Sequence, residues 1–184
     1  MDEFSYYTTG LVDGEGSFSV SVQKDPTHRL GYRLKPSFSL GLHKEDLRIL
    51  NEIRDNLDCG TIYFNKKMVQ LKVEDIESLV GKVIPFFEKY PLRAKKKEDF
   101  EIFKKVVLMM SRKEHLKNVH AFLDILRLRS QMNMVGRSRR IVSRGDQIRA
   151  EVAQKVEHWT ENAKKANSES KSRRGKHTQD KTSS

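Results

Sequence analysis

Two carboxylates set among three glycines are the residues of this chain most able to do chemistry: Gly10-Leu11-Val12-Asp13-Gly14-Glu15-Gly16. Upstream, Phe4, Tyr7 and Leu11 repeat at helical spacing, which predicts a short helix over residues 4–14 with those side chains as its apolar face. Downstream, Phe18, Val20 and Val22 alternate with Ser19, Ser21 and Gln23, which predicts a strand from Ser17 to Gln23. Gly10 and Gly14 are one helical turn apart and leave a face bare, so a second backbone can lie directly against it. Glu15 falls where helix gives way to strand, in a turn kept open by Gly14 and Gly16. A carboxylate there suits a hard divalent cation. The plainer alternative is a pair of acids solvating a helix C-terminus. Acids in that place oppose the macrodipole at a cost of about 0.3–1 kcal/mol each, which favours another use. A calcium loop starting at Asp13 fails, because its twelfth position is Lys24 rather than Glu.

The elements that must hold this stretch follow from periodicity. A second strand, Gly31 to His43, places Tyr32, Leu34, Phe38, Leu40 and Leu42 on one side and Arg33, Lys35, Ser37 and Ser39 on the other. Pro36 lacks an N–H and predicts an edge position or a bulge. Lys44 to Leu57 reads as a helix with Leu47, Leu50, Ile53 and Leu57 inward, ending at Asp58-Cys59-Gly60. A hairpin follows, Thr61 to Asn65 and Met68 to Val73, joined at Lys66-Lys67. Its Ile62, Phe64, Val69, Leu71 and Val73 share the covered side; Tyr63, Asn65, Gln70 and Lys72 share the other. Glu74 to Tyr90 predicts a helix that kinks or breaks at Pro85. The order is α-β-β-α-β-β-α, one four-stranded sheet with helices on its apolar face and a polar, basic face opposite. Such side chains read base edges, and such a sheet fits the major groove of B-DNA; an ordinary solvated face is the alternative. Lys95-Lys96-Lys97 opens a further helix carrying Phe100, Phe103, Val107 and Met110. His115 to Met132 predicts another, with Leu116, Val119, Leu123, Leu126 and Leu128 as its stripe.

The chain has 184 residues, 36% hydrophobic and 33% charged, with a net charge of +11. These values describe one domain with a modest core and a polyanionic partner, nucleic acid before membrane, since no apolar run is long enough to span a bilayer. Cys59 is the single cysteine, so no internal disulfide framework or thiolate metal cluster is expected. The acidic N-terminus carries no signal peptide pattern, and an intracellular, reducing compartment is expected, whether cytoplasm, nucleoid or organelle matrix. From Gly136 the composition shifts: Arg137, Arg139, Arg140 and Arg144 lie in a Gly/Ser-containing loop, a pattern suited to phosphate contacts that position without specifying. Asp146 to Lys165 predicts a last helix with Ile148, Val152, Val156 and Trp159 as its stripe. Residues 166–184 are expected to be a disordered basic tail that adds salt-sensitive affinity. The division is thus 1–135, 136–165 and 166–184.

Thr8 and Thr9 followed by Gly10-Leu11-Val12-Asp13-Gly14-Glu15-Gly16 closely resemble the signature of the LAGLIDADG homing endonucleases, and the element order agrees over roughly residues 4–135. The similarity is to single-motif members. It implies an α+β fold, αββαββα, with a four-stranded antiparallel saddle sheet and additional C-terminal helices. It implies a homodimer packed through the residue 4–14 helix, and hydrolysis of both strands of a long pseudo-palindromic double-stranded DNA target. The cofactor implied is Mg2+ or Mn2+, with Ca2+ expected to bind without supporting cleavage. By position Glu15 ligates the metal, the Gly14 carbonyl is an extra ligand, and Asp13 and Gly10 support the site. Lys95, with Lys96 second, matches the basic residue that polarises the scissile phosphate. The base readers implied are Ser19, Ser21, Gln23, Arg33, Lys35, Ser37, Ser39, Tyr63, Asn65, Gln70 and Lys72. Lys66, Lys67, Arg137, Arg139 and Arg140 complete the DNA-binding set. There is one departure: the water-ordering polar residue that many relatives carry at the end of the second strand is read here as Leu42, with His43 beside it. The function implied is a site-specific, intron-encoded endonuclease. The second reading is a weakly catalytic or inactive DNA- or RNA-binding protein, such as a maturase with intron RNA as its partner; no membrane role is expected.

Overall fold

Alternating apolar and polar residues build the sheet that positions everything else in a computed structural model, which describes residues 2–132, 146–158 and 161. The chain divides into two units, Met1–Val142 and Ser143–Ser184. The first contains α1 (Glu3–Glu15), β1 (Gly16–Lys24), β2 (Tyr32–His43), a 3-10 turn (Lys44–Asp46), α2 (Leu47–Leu57), β3 (Thr61–Asn65) and β4 (Met68–Val73). Helical stretches follow: α3 (Ile76–Ser78), a π turn (Leu79–Val83), α4 (Ile84–Lys89), α5 (Lys96–Ser111), α6 (Glu114–Lys117) and α7 (Val119–Gln131). In the second unit, residues 146–158 are helical. The expected boundary at residue 135, the arginines 137, 139, 140 and 144, Trp159 and the tail 166–184 lie outside the described residues.

The sheet runs β1-β2-β4-β3, antiparallel throughout. β2 pairs with β1 from Tyr32 to Leu40 but with β4 only from Phe38 to His43. Pro36, opposite Val20, therefore lies in the half of β2 that has one neighbour, where its missing N–H breaks no ladder to β4. The predicted hairpin has the observed strand limits, and Lys66 takes the left-handed turn position at φ 44°.

Phe18 is the centre of the core: its ring lies 5.3 Å from Phe38, Phe100 and Phe103 and 5.5 Å from Phe87. These rings bring the adjacent strands β1 and β2 against α4 and α5, and such aromatic pairs add stabilisation beyond their buried area. The break expected at Pro85 is a π turn ending two residues before it, the form in which a helix absorbs a position it cannot bond.

The helix that Phe4, Tyr7 and Leu11 predict is present, and its buried residues are Ser5, Thr8, Thr9 and Val12. Two expectations about facing are corrected. Phe64 lies on the helix side of the sheet, paired with Val69, yet is 72% exposed because β3 is the edge strand and extends past its cover. Of the stripe predicted for 115–132 only Leu126 is buried: Asn118 breaks the helix and caps α7, whose other buried residues are Ala121, Phe122 and Ile125.

Candidate active site and sheet face

α1 begins at Asp2, whose carboxylate caps Ser5 N–H at 3.2 Å and accepts the Ser5 hydroxyl at 2.6 Å. Apart from Val12, its buried face is made of hydroxyls. Thr9 Oγ1 donates toward the carbonyls of Ser5 and Tyr90, both at 3.1 Å, and Asn56 donates to Ser5 Oγ at 3.1 Å. Small bonded side chains let α1 lie close to its neighbours and leave the larger ones outside. Tyr6 and Tyr7 are exposed, and so are Gly10 and Gly14; a Cβ built on either glycine meets nothing within 4 Å. Beside this outer face runs an open groove of about 630 Å³ lined by Glu3, Tyr6, Gly10, Asp13, Pro91 and Arg93.

At the C-terminal end of α1 the two acids part company. Asp13 Oδ2 accepts the backbone N–H of Arg93 at 2.9 Å and of Ala94 at 3.3 Å, while its Oδ1 is buried with no hydrogen-bond partner among the described residues. Glu15 is exposed at the last helical position. Gly16 is needed for close approach, not for an unusual backbone: its φ is −73°, but a Cβ there would sit 2.5 Å from Val12 Cγ1 and 2.7 Å from the Val12 carbonyl. The turn is thus tight, where the sequence suggested it was open.

The loop tied down by Asp13 leads directly into the lysines. Lys95 caps α5, and Lys96 and Lys97 form its first positions. Lys95 and Lys97 are exposed and Lys96 is half-buried. Acids at the C-terminus of one helix and cations at the N-terminus of another both oppose their macrodipoles, at about 0.3–1 kcal/mol each. The Asp13 bonds join these two ill-placed ends, an arrangement that suits chemistry better than stability. Asp13→Ala is expected to change stability by only about 1 kcal/mol, because freed N–H groups reach water, yet to slow any reaction using Lys95 or Lys96 by about tenfold or more. Thermal melting set beside reaction rate checks both parts.

The strand registers arrange the polar face in rows: Ser17–Ser39–Lys72–Thr61, Gly41–Gln70–Tyr63 and His43–Met68–Asn65, with Ser19–Ser37, Ser21–Lys35 and Gln23–Arg33 extending it along β1 and β2. Ser19, Ser21, Gln23, Arg33, Lys35, Ser39, Tyr63, Asn65, Gln70 and Lys72 all lie on this face and reach solvent at least in part, and Lys66 and Lys67 are exposed at the hairpin. Ser37 is corrected: it is on the face but only 6% exposed, so it does not reach a ligand. Leu42 points into the core opposite Val69, and the polar-face side chain at that strand end is His43, 3.6 Å from Glu45. Alternation already set Leu42 on the apolar side, and the same parity puts His43 with Arg33, Lys35, Ser37 and Ser39 on the polar one.

Two acids outside the expected DNA-binding set, Asp25 and Glu74, temper this face. Arg33 pairs with Asp25 at 2.9 Å, and Glu74 holds both Lys35 and Lys72 at 2.7 Å. The hydroxyl of Thr27 first, opposed by partial burial and then aided by Arg33, holds the Asp25 carboxyl below its ordinary range. Hydrogen bonds from Lys35 and Lys72 do the same to Glu74.

The donor set fits half of a hard-cation site. One chain supplies the Glu15 carboxylate beside helix-terminal carbonyls that have no helical partner. Among the described residues, no group of three or more His, Cys, Asp or Glu side chains is gathered for a metal.

Fold and site together define a class: an α+β protein in which an acid-tipped helix leads into an antiparallel sheet with one helix-covered and one polar face. The chain belongs to the LAGLIDADG endonuclease family, whose sequence model matches residues 8–107. It is 36% identical over 129 residues to the probable intron-encoded endonuclease 3 of Neurospora crassa, covering 68% of this chain but only 24% of that relative's length. Among solved structures, the homing endonuclease I-TnaI superposes with a TM-score of 0.72 at 34% identity, covering 80% of this chain and 97% of that one. The LAGLIDADG homing endonuclease I-SmaMI bound to cleaved DNA gives a TM-score of 0.71 at 30% identity, covering 78% of this chain and 48% of that one. I-SmaMI has also been solved on an uncleaved DNA target in the presence of calcium ions.

Proposed function

We propose that the chain is a site-specific, intron-encoded endonuclease acting as a homodimer on a long pseudo-palindromic double-stranded DNA. The observation that carries this reading is the exposed Glu15 at the end of a helix whose outer glycine face is bare. Two such helices packed together bring two Glu15 carboxylates to one axis, and twofold protein symmetry calls for a target with matching symmetry. Glu15 and the Gly14 carbonyl hold a divalent cation, Mg2+ or Mn2+. When bound, such a cation supplies water activation, charge neutralisation at phosphorus and stabilisation of the leaving oxygen. Lys95 and Lys96 present ammonium groups to the scissile phosphate, and Asp13 fixes the loop that carries them. His43 is placed to orient water at the end of β2, and the sheet face lies in the major groove. The setting is a reducing intracellular compartment, in keeping with a lone, free Cys59. Among the described residues no helix is long and apolar enough to cross a membrane.

The test is cleavage of a plasmid carrying the intron-free insertion site taken from the DNA that flanks the reading frame. A double-strand cut in Mg2+ that disappears with EDTA, and is not restored by Ca2+, is the expected result. Tight binding to the intron RNA with no nick in any DNA under Mg2+ or Mn2+ would establish the maturase reading instead.

A further inference from the structure

We propose that Glu74 is a specificity-determining residue of the sheet face, positioning Lys35 and Lys72 as donors to base edges and withholding them from phosphates. This rests on the DNA-reading role proposed above for that face. Glu74 follows β4 directly and continues the parity of Gln70 and Lys72, so it stands on the polar side one step beyond the pair Phe38↔Val73. Its Oε2 lies 2.7 Å from Lys35 Nζ and its Oε1 lies 2.7 Å from Lys72 Nζ, so each oxygen takes one ammonium from a different strand. The Glu74 side chain is only 23% exposed, in a face otherwise rich in cations.

Affinity alone does not explain a carboxylate in that place. It halves the charge of the lysine pair that would meet a polyanion, and it repels phosphates itself. Exposed ion pairs contribute little to folding, so stability does not explain it well either. Fixing direction does. A lysine is a point charge on a flexible stem that settles readily on phosphate. One N–H of each ammonium committed to Glu74 leaves two donors per lysine in a restricted cone facing out of the sheet. Guanine N7 and O6 in the major groove accept such donors, and the unused lone pairs of the carboxylate accept from the amino group of cytosine. The triad therefore matches G·C pairs. It also supplies the chemistry at a row where Ser37 is buried and its Oγ has no partner among the described residues.

The experiment selects binding sites from a randomised DNA duplex pool with the full-length protein and with Glu74→Gln, and measures affinity for one fixed random-sequence 30-base-pair duplex at several salt concentrations. Melting temperature controls for folding. Glu74→Gln is expected to bind the random duplex about tenfold more tightly, with a salt dependence steeper by up to about 2 phosphate contacts per protomer. Its selected motif should lose a G·C preference at a short, contiguous block in each half-site and keep the rest. Lys35→Met, which leaves Glu74 paired with Lys72, should lose preference at the same block while weakening binding to the random duplex. An unchanged motif and unchanged random-duplex affinity in Glu74→Gln overturn the proposal, as does an equal loss of all binding, which would make Glu74 a structural tie. A wild-type protein that enriches no sequence at all overturns the DNA reading beneath it, a separable failure.

Discussion

Glu15→Gln should abolish cleavage, by about 10³-fold or more, while leaving the fold and DNA binding nearly untouched. The size of the effect follows from removing the one side-chain carboxylate that each copy would bring to a shared cation in the proposed dimer. The selectivity follows from its surroundings. Glu15 is exposed, and among the described residues it accepts no hydrogen bond and joins no ion pair, so the fold does not depend on its charge. Asp13 differs, because two backbone N–H groups depend on it. The variant is also isosteric and relieves an acid at a helix C-terminus, so its melting temperature should stay level or rise slightly. Binding is measured by fluorescence anisotropy on the insertion-site duplex in Ca2+, and cleavage by gel in Mg2+. Residual cutting within tenfold of wild type would move the metal-binding role away from Glu15. A collapse of binding in parallel with cleavage would make Glu15 a DNA contact instead.

Much of this was legible before any coordinates, for identifiable reasons. Strand parity has a period of two and few competitors, so the hairpin, the polar face and the placement of Lys35, Gln70 and Lys72 were readable from alternation alone. The helix faces were harder. An apolar stripe marks a face that avoids water, but it does not say whether the same chain or another molecule covers it. In α1 the apolar spacing marks the helix but not its covered side: Phe4 and Leu11 are half-buried, Tyr7 is exposed, and the buried face is Ser5, Thr8, Thr9 and Val12, its Thr9 hydroxyl bonded to backbone carbonyls. Alternation placed Leu42 on the covered side, where it lies; only the water-ordering position, read there by resemblance, belongs instead with His43 on the polar side. The link from Asp13 to Arg93 and Ala94 spans some eighty residues of sequence, and no local pattern announces it. Ser37 shows the remaining gap: parity gives the side of a sheet, whereas exposure depends on the surrounding packing, and Ser37 is only 6% exposed on the polar side.

Gly10→Leu should separate the stability of the chain from its self-association, moving the two in opposite directions. A Cβ on Gly10 meets nothing within 4 Å in one chain, so a side chain there has room, and the exposed helix gains up to about 1 kcal/mol in propensity. Gly16 is the internal contrast. A Cβ there meets Val12 at 2.5 Å, and Gly16→Ala must push α1 from β1 or shift the turn, destabilising the single chain. The motif glycines are therefore of two kinds, one crowded by the chain's own turn and the others open, with room for the second backbone proposed above. In a symmetric dimer every added side chain intrudes twice. An overpacking cost of about 1–3 kcal/mol per copy becomes about 2–6 kcal/mol per dimer, a loss of roughly 30-fold to more than 10⁴-fold in association. Double-strand cleavage should fall with it, since one Glu15 alone completes only half a cation site. Melting at low protein concentration reads the first effect and sedimentation equilibrium reads the second. A stabilised chain that still associates as wild type would show that α1 packs elsewhere than through Gly10. That result would leave the two Glu15 carboxylates without a route to a common axis.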